Sequence, residues 1–203
     1  MKVINVDKYE QFSSVVQQLE SQVIDSGYDP SLIVGIPTGG CFVLAEMKML
    51  SKNSNVCFIS KQRKSTATKQ KLRLKSFLPY LPRVLNNALR HLESWLLERK
   101  FEKKRDEFLS ADASLIDLDD KTQKMLIDSK QILVVDDAID SGETMKVIVQ
   151  TIRQYNPDAE IKLAVINTTF MSPLVEPDFC LFQRKIVRYP WANDVKQIWR
   201  KRC

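Results

Sequence analysis

Apolar residues along the first part of the chain switch between helix-like spacing and short continuous runs. Residues 9–24 carry apolar side chains three and four positions apart, which predicts an amphipathic helix that ends in the polar turn of residues 25–30. Continuous apolar runs at residues 32–36 and 56–59 predict buried strands, and residues 42–50 between them predict a helix. The pattern therefore predicts strands that alternate with helices.

The same alternation returns in the last third of the chain. Apolar runs predict strands at residues 131–135, 161–166 and 179–182, and helical spacing predicts a helix at residues 142–155. Strands joined by crossover helices form parallel sheets with both faces covered. We therefore expect a single α/β domain over residues 1–203, with a central, mainly parallel sheet flanked by helices.

Residues 61–128 interrupt this alternation. Their first part is basic and polar, and a stripe with spacings of four and three residues then predicts a long helix that runs to about residue 109. The stripe consists of Leu81, Leu85, Ala88, Leu92 and Trp95. We interpret residues 61–128 as a helical insertion, basic and then acidic, within the one domain. The stripe should be buried on the core, on a second copy of the chain or on another protein.

The charge is concentrated in this middle region. The whole chain carries a formal net charge of +6, whereas residues 60–105 alone hold fourteen lysines and arginines against three glutamates. Such a block attracts polyanions, which include nucleic acids, membrane surfaces and pyrophosphorylated small molecules. A solvated helical face is the alternative, and the sequence leaves both open.

Composition excludes several classes of protein. The apolar runs are too short to span a bilayer, the start lacks the apolar region of a secretion signal, and the four cysteines form no CxxC pair. We therefore expect reduced thiols, a cytoplasmic location and no membrane association. The only histidine, His91, lies in the basic stretch, which disfavours Ser-His-Asp and Cys-His mechanisms.

Residues 132–145 carry the most informative chemistry. An apolar strand delivers Asp136 and Asp137 at its carboxyl end, and a loop with Ser141, Gly142 and Thr144 then opens a helix. Ligands of open α/β sheets bind at this edge, and a helix N-terminus offers N–H groups to a phosphate. The two acids suit sugar hydroxyls or a magnesium ion. A loop that only caps the helix remains the alternative.

These residues resemble a known family. Residues 134–144 resemble the signature with which type I phosphoribosyltransferases bind 5-phosphoribosyl 1-pyrophosphate (PRPP), and residues 33–40 resemble the pyrophosphate loop of that family. The resemblance covers residues 32–59 and 131–166. It implies the type I phosphoribosyltransferase fold and a magnesium-dependent transfer of the 5-phosphoribosyl group from PRPP to a nitrogenous, purine-like base, with release of pyrophosphate.

The resemblance also implies roles for single residues. Asp136 and Asp137 would hold the ribose hydroxyls and the magnesium, and Asp140 would be the catalytic carboxylate that exchanges a proton with a purine ring. The 5′-phosphate would be wrapped by Ala138, Ile139, Ser141, Gly142, Glu143 and Thr144. The pyrophosphate would be contacted by Thr38, Gly39 and Gly40. Thr38 stands where many relatives carry Lys or Arg, so one positive charge beside the leaving group is missing.

Two further segments resemble parts of the hypoxanthine/xanthine-guanine branch. Residues 177–203 resemble its base-binding hood, and the acceptor would be contacted by Lys185, Ile186, Arg188 and Trp191, with Ile186 near the usual aromatic position. Asp194 would be a further magnesium-side carboxylate. Residues 60–69 occupy the place of the mobile lid, in which Arg63 and Lys64 would bring positive charge to PRPP. A surface strand with solvated basic residues and a packed Trp191 is the alternative for the hood.

Two classes of function follow. The first is an enzyme of nucleotide metabolism that uses PRPP and forms a homo-oligomer. The second is a phosphoribosyltransferase-like effector or regulatory subunit of a bacterial nucleoprotein complex, such as retron-type antiviral defence, that binds nucleic acid or protein through residues 61–105. Retention of nucleic acid on purification would distinguish the second from the first.

Overall fold

The computed structural model describes residues 2–61, 82–110, 115–192 and 195. The strands in this part are β1 (Lys2–Asn5), β2 (Leu32–Gly35), β3 (Asn55–Phe58), β4 (Gln131–Ile139), β5 (Glu160–Thr168), β6 (Phe179–Phe182) and β7 (Lys185–Arg188). The helices are α1 (Tyr9–Asp25), α2 (Gly39–Glu46), α3 (Leu50–Asn53), α4 (Arg83–Glu102), α5 (Arg105–Ser110), α6 (Asp120–Ile127) and α7 (Glu143–Tyr155).

Five of these strands form a parallel sheet in the order β3-β2-β4-β5-β6. In the centre, Val34 of β2 lies opposite Cys57 of β3 on one side and Val134 of β4 on the other. Strands β1 and β7 form a separate parallel pair, in which Lys2 lies opposite Lys185. The predicted α/β architecture with a mainly parallel central sheet is confirmed.

The core lies on both faces of the sheet, as expected for parallel strands joined by helices. On one face, Leu133 and Val135 of β4 pack in a cluster with Phe12 and Leu19 of α1. On the other face, the alternate positions of β4 pack in a second cluster, together with Ile148 of α7. The two-residue period of a strand therefore divides one apolar run between two layers of helices.

Several element boundaries differ from the sequence prediction, most clearly around α2 and at the end of β4. The first helix after β2 begins at Gly39 and ends at Glu46, and the short α3 follows at Leu50. Strand β4 continues four residues beyond the predicted end, because residues 136–139 still pair with β5, Asp136 opposite Val165. The acidic pair therefore belongs to the end of the strand.

Residues 83–110 form two helices rather than the single long one predicted, since α4 ends at Glu102 and α5 begins at Arg105. The predicted stripe does not pack on the core: Leu85, Leu92 and Trp95 are 47%, 53% and 47% exposed, and Leu81 lies outside the described residues. The opposite side of α4 faces the molecule instead. The burial of the apolar stripe against a second copy of the chain or another protein stays a prediction. None of the described helices combines the length and apolarity needed to cross a membrane.

Candidate active site

The candidate site lies at the carboxyl edge of the sheet, where β2 and β4 end side by side. Gly35 of β2 pairs with Val135 of β4, and the N–H of Ile36 donates to the carbonyl of Val135 at 3.0 Å. Helix α2 follows β2 after residues 36–38, and helix α7 follows β4 after residues 140–142, so each loop has three residues. The N-termini of both helices therefore lie at the edge where ligands of parallel sheets bind.

The loop after β2 lies in direct contact with the acidic pair. A Cβ added at Gly39 would lie 2.2 Å from the Cγ of Asp137, and one added at Gly40 would lie 2.4 Å from the carbonyl oxygen of Val135. Only glycine allows this close approach. Thr38 is exposed beside these glycines, and the Pro37–Thr38 peptide is cis. The loop thus presents main-chain groups next to two carboxylates.

Burial and the neighbouring charges disfavour ionisation of the two adjacent carboxyl groups. The N–H of Asp137 donates to Oδ1 of Asp136 at 2.8 Å. Burial, together with repulsion from Asp137, raises the pKa of Asp136 well above its usual value. Burial also raises the pKa of Asp137 to about 6, with a further contribution from the charge of Asp140. A bound cation would relieve both effects.

This pair fits a magnesium ion. Magnesium sites of this kind commonly use one or two carboxylates, with substrate phosphates and water completing the shell. Within the described ranges no three His, Cys, Asp or Glu side chains cluster closely enough to hold a metal without further ligands. Asp136 and Asp137 would therefore share the ion with the substrate. The predicted third carboxylate, Asp194, lies outside the described residues.

The loop after β4 encloses a small cleft of about 120 Å³, lined by Asp136 and residues 138–145. Gly142 has φ +79°, a value that favours glycine, and the N–H of Leu174 donates to the carbonyl of Ser141 at 2.8 Å. The Ser141 hydroxyl donates to Glu143 at 3.1 Å. Thr144 is half-buried in the first turn of α7. A small cleft at the start of a helix suits a phosphate group.

Asp140 stands between this cleft and a larger one. Its side chain is exposed and accepts a short hydrogen bond from the hydroxyl of Thr169, the residue after β5. The N–H of Thr169 donates in turn to the carbonyl of Ile139 at 3.0 Å. The neighbouring strand thus holds the Asp140 carboxylate at the cleft mouth.

The larger cleft, of about 260 Å³, lies over the ends of β4, β5 and β7 and beneath α4. Its lining consists of Arg90, Glu93, Ser94, Leu97, Ala138, Asp140, Asn167, Thr169, Phe170, Ile186, Val187 and Tyr189. The amide of Asn167 donates to the carbonyl of Lys185 at 2.9 Å. The Tyr189 hydroxyl lies 2.5 Å from Asn167 Oδ1 and 2.8 Å from the carbonyl of Asp137. Burial and the nearby acids raise the pKa of Tyr189, which keeps its hydroxyl a donor.

Comparison with known proteins identifies the family. The model of the phosphoribosyl transferase domain matches residues 4–192 of this chain. The chain belongs to the phosphoribosyltransferase family. The match confirms both the resemblance read from the two loops and the predicted enzyme class, a phosphoribosyltransferase that moves a phosphoribosyl group to a base. Among curated proteins, no sequence matches significantly.

Solved structures with the same fold are distant in sequence. A purine phosphoribosyltransferase from Pyrococcus horikoshii is 18% identical, with 95% of each chain covered and a TM-score of 0.55. The xanthine-guanine-hypoxanthine phosphoribosyltransferase of Helicobacter pylori is 15% identical, with coverages of 93% and 92% and a TM-score of 0.53. A Neisseria gonorrhoeae protein with bound ppGpp is 15% identical, covered at 94% and 90%, with a TM-score of 0.51. These likenesses concern the fold, and the interpretation of residues 61–128 as an insertion stays a prediction.

In this phosphoribosyltransferase the predicted PRPP residues lie together. Thr38, Gly39 and Gly40 begin α2 beside the acidic pair, and the loop residues line or border the small cleft. Ile139 has its side chain in the core and contributes its main chain to the loop. The predicted lid residues Arg63 and Lys64 lie outside the described residues.

The predicted acceptor residues divide differently. Ile186 lines the larger cleft, whereas Lys185 contributes a main-chain carbonyl to Asn167. Arg188 is buried and donates to Asn5 at 2.7 Å and Asn87 at 2.8 Å, so it joins β7 to β1 and α4. Trp191 stacks between Tyr189 at 4.8 Å and Phe42 at 4.4 Å in the core. The structure gives Arg188 and Trp191 these contacts instead of a place in the cleft lining.

The sequence analysis missed the contribution of α4. Arg90, Glu93, Ser94 and Leu97 share one side of the helix, opposite the apolar stripe. Further along the chain, Lys100 and Lys104 line a third cleft, distinct from the small cleft and the larger cleft described above. Its volume is about 330 Å³, and it borders Asp140, Ser141 and Glu143. The sequence did contain a signal for this wall: a second set of positions three and four residues apart, on the polar side of the predicted helix.

Proposed function

We propose that this phosphoribosyltransferase transfers the 5-phosphoribosyl group of PRPP to a purine-like base. One observation supports this most strongly: the small cleft and the larger cleft share Ala138 and Asp140, and the acidic pair lies beside them. A 5′-phosphate in the first cleft and a base in the second would bring the reacting carbon of PRPP next to Asp140. The arrangement therefore suits two substrates, a sugar phosphate whose 5′-phosphate enters the small cleft and a base that enters the larger one.

The chemistry requires little covalent help from the protein. The bond from the anomeric carbon to pyrophosphate breaks, the bond from that carbon to a ring nitrogen forms, and the proton of that nitrogen passes to the Asp140 carboxylate. Positive charge develops on the sugar and negative charge on the leaving group, so fixed dipoles and water exclusion matter most. The N–H group of Gly39 would face the leaving pyrophosphate, and Asp136 and Asp137 would orient the ribose hydroxyls.

Magnesium is the proposed cofactor. When bound, it would neutralise charge on the pyrophosphate and so make that group easier to displace. Asp136 and Asp137 would hold it, with Asp194 as a further carboxylate. Thr38 supplies no charge to the leaving group, so we assign the missing positive charge to Arg63 and Lys64 of the proposed lid, residues 60–69. Lys100 and Lys104 would add positive charge near the 5′-phosphate.

The acceptor is proposed to be a purine-like base. The volume of the larger cleft, about 260 Å³, is below that of pockets for drug-sized ligands, which begin near 300 Å³. The cleft therefore suits a molecule as small as a single base. The names of the Pyrococcus and Helicobacter proteins, with the same fold, point to purine acceptors for those proteins. We also propose a cytoplasmic location and a homo-oligomer, as the sequence suggests.

A screen of bases tests this proposal. Purified protein is incubated with PRPP, magnesium and one of several purine or pyrimidine bases, and pyrophosphate release is measured together with the mass of the nucleotide formed. We expect equal amounts of pyrophosphate and purine nucleotide, and neither product from the double variant Asp136→Asn, Asp137→Asn. Absence of base-dependent pyrophosphate release with every base would refute the proposal.

A second candidate role is partner binding through residues 61–105. The outer side of α4 favours it, because Leu85, Leu92 and Trp95 are half-exposed and the guanidinium of Arg99 lies 4.8 Å from the Trp95 ring centre. A nucleoprotein partner would satisfy both the apolar side chains and the basic charge. Purification at low salt, with and without nuclease, tests this role. Nucleic acid that copurifies and leaves at high salt supports it, and protein free of nucleic acid under both conditions counts against it.

A further inference from the structure

Helix α4 forms one wall of the larger cleft and is anchored on both sides of that wall. On the N-terminal side of the wall, Arg188 donates to Oδ1 of Asn87 at 2.8 Å. On its C-terminal side, the carboxylate of Glu98 accepts from the N–H of Met171 at 2.5 Å. Farther along, the ring of Phe101 packs 5.6 Å from that of Phe170. The residues between the anchors, 90–97, therefore have a defined position over the cleft.

The polar groups on the floor of the cleft are already paired within the protein. Asn167 donates to the carbonyl of Lys185 and accepts from Tyr189, and Thr169 donates to Asp140. Ile186, Val187 and Phe170 add apolar surface. The floor can therefore support a flat ring, but it offers few side-chain groups that distinguish one base from another.

The wall formed by α4 adds further polar groups to the cleft. The hydroxyl of Ser94 is buried and has no hydrogen-bond partner among the described residues. A buried hydroxyl that stays unpaired costs free energy, which a ligand can recover by pairing with it. Glu93, its neighbour, lines the same cleft with an exposed carboxylate, and Arg90 lies one turn earlier on the same side.

We propose that α4 selects the acceptor: Glu93 accepts N–H groups from the outer edge of the base, and Ser94 and Arg90 donate to its carbonyl oxygen. The acceptor class that matches is a heterocycle with an amino group beside an oxo group, because a carboxylate pairs with two adjacent N–H donors. A base with an oxo group alone would bind less tightly, and one with only an amino group least tightly. This inference rests on the proposed transfer to a base and assigns its specificity to α4.

Two substitutions test the assignment. Glu93→Gln keeps the size of the side chain and removes its charge. We expect it to raise KM for guanine about 10-fold to 100-fold, the range for losing a hydrogen bond to a charged group. The effect on KM for hypoxanthine, which lacks the amino group, should be smaller. Ser94→Ala should raise KM about threefold to tenfold for both bases, since both present an oxo group.

The matched control is Glu102→Gln, on the same helix but exposed and outside the cleft lining. It should leave every constant unchanged. In all three variants KM for PRPP should match the wild type, because the small cleft is untouched. The melting temperature should match the wild type in the two glutamine variants and should not fall in Ser94→Ala, which removes an unpaired buried hydroxyl. Equal KM values for guanine in Glu93→Gln and Glu102→Gln would overturn the inference, as would a parallel loss of PRPP affinity. Wild-type protein that transfers to no base would instead overturn the proposed function.

Discussion

Replacing Asp137 by asparagine should stabilise the free protein. Burial raises the pKa of this carboxyl from 3.8 to about 6, so the folded state binds its proton more tightly than the unfolded chain does. Below about pH 4 the group is protonated in both states and contributes nothing. Above about pH 6 it is ionised in both, and the folded state carries the full cost of a buried charge beside Asp136.

The magnitude follows from that difference. Each pKa unit corresponds to about 1.4 kcal/mol, so about two units set an upper limit near 3 kcal/mol. The new amide keeps the shape of the side chain and can donate to the Asp136 carboxylate. We expect Asp137→Asn to raise the free energy of unfolding at pH 7.5 by about 1–3 kcal/mol, with the gain vanishing between about pH 6 and pH 4.

Urea unfolding followed by tryptophan fluorescence, in EDTA and across this pH range, measures the effect. Asp119→Asn is the control with the opposite sign. Asp119 caps α6 and accepts from the N–H of Thr122 at 3.0 Å and from its hydroxyl at 2.7 Å, and these hydrogen bonds lower its pKa. That variant should lose stability at neutral pH and approach the wild type in acid. An Asp137→Asn protein that is less stable at pH 7.5, or whose gain does not change with pH, would contradict the account of the acidic pair.

Three further predictions concern the site and the basic region. Asp140→Ala should lower turnover about 10²-fold to 10⁴-fold at saturating PRPP, while calorimetry shows PRPP binding retained; full activity would mean that Asp140 only shapes the loop. Gly142→Ala should lower the free energy of unfolding by about 1–2 kcal/mol and weaken PRPP binding, because φ is +79° and an added Cβ would lie 3.1 Å from two main-chain nitrogens. An unchanged melting temperature and PRPP affinity would contradict the loop geometry. Charge reversal in the basic region should weaken nucleic-acid binding across a salt series and leave PRPP affinity unchanged, and a wild type without salt-dependent binding would remove the second candidate role. The reversed residues are Lys69, Lys71, Arg73 and Lys75.

The strands of the central sheet were largely predictable because most of them contain continuous apolar runs, whereas β1 and β7, in which only two apolar residues lie between polar ones, were not predicted. The end of β4 was not predictable, since Asp136 looks like the end of a strand until its pairing with Val165 is known. Local polarity predicts where a run stops, but backbone pairing with a neighbour decides where the strand stops. The consequence is functional, because the extension holds the two carboxylates in the sheet.

The PRPP loops were predictable for a different reason: each is a short local motif. The acceptor side depends on residues far apart in sequence. Arg188 was predicted to contact the acceptor, yet its partners, Asn5 and Asn87, are remote from it along the chain. The apolar side of a surface helix usually faces the core, but α4 is an exception. It covers the polar edge of the sheet, so its polar side faces the protein and Trp95 faces outward.

The central claim is that PRPP binds at the end of β4 through Asp136 and Asp137. Calorimetric titration of PRPP in magnesium, with wild type and with the double variant Asp136→Asn, Asp137→Asn, tests it most directly. We expect saturable binding by the wild type and none by the double variant, with circular dichroism showing that both are folded. Equal PRPP affinity in the two proteins would contradict the account.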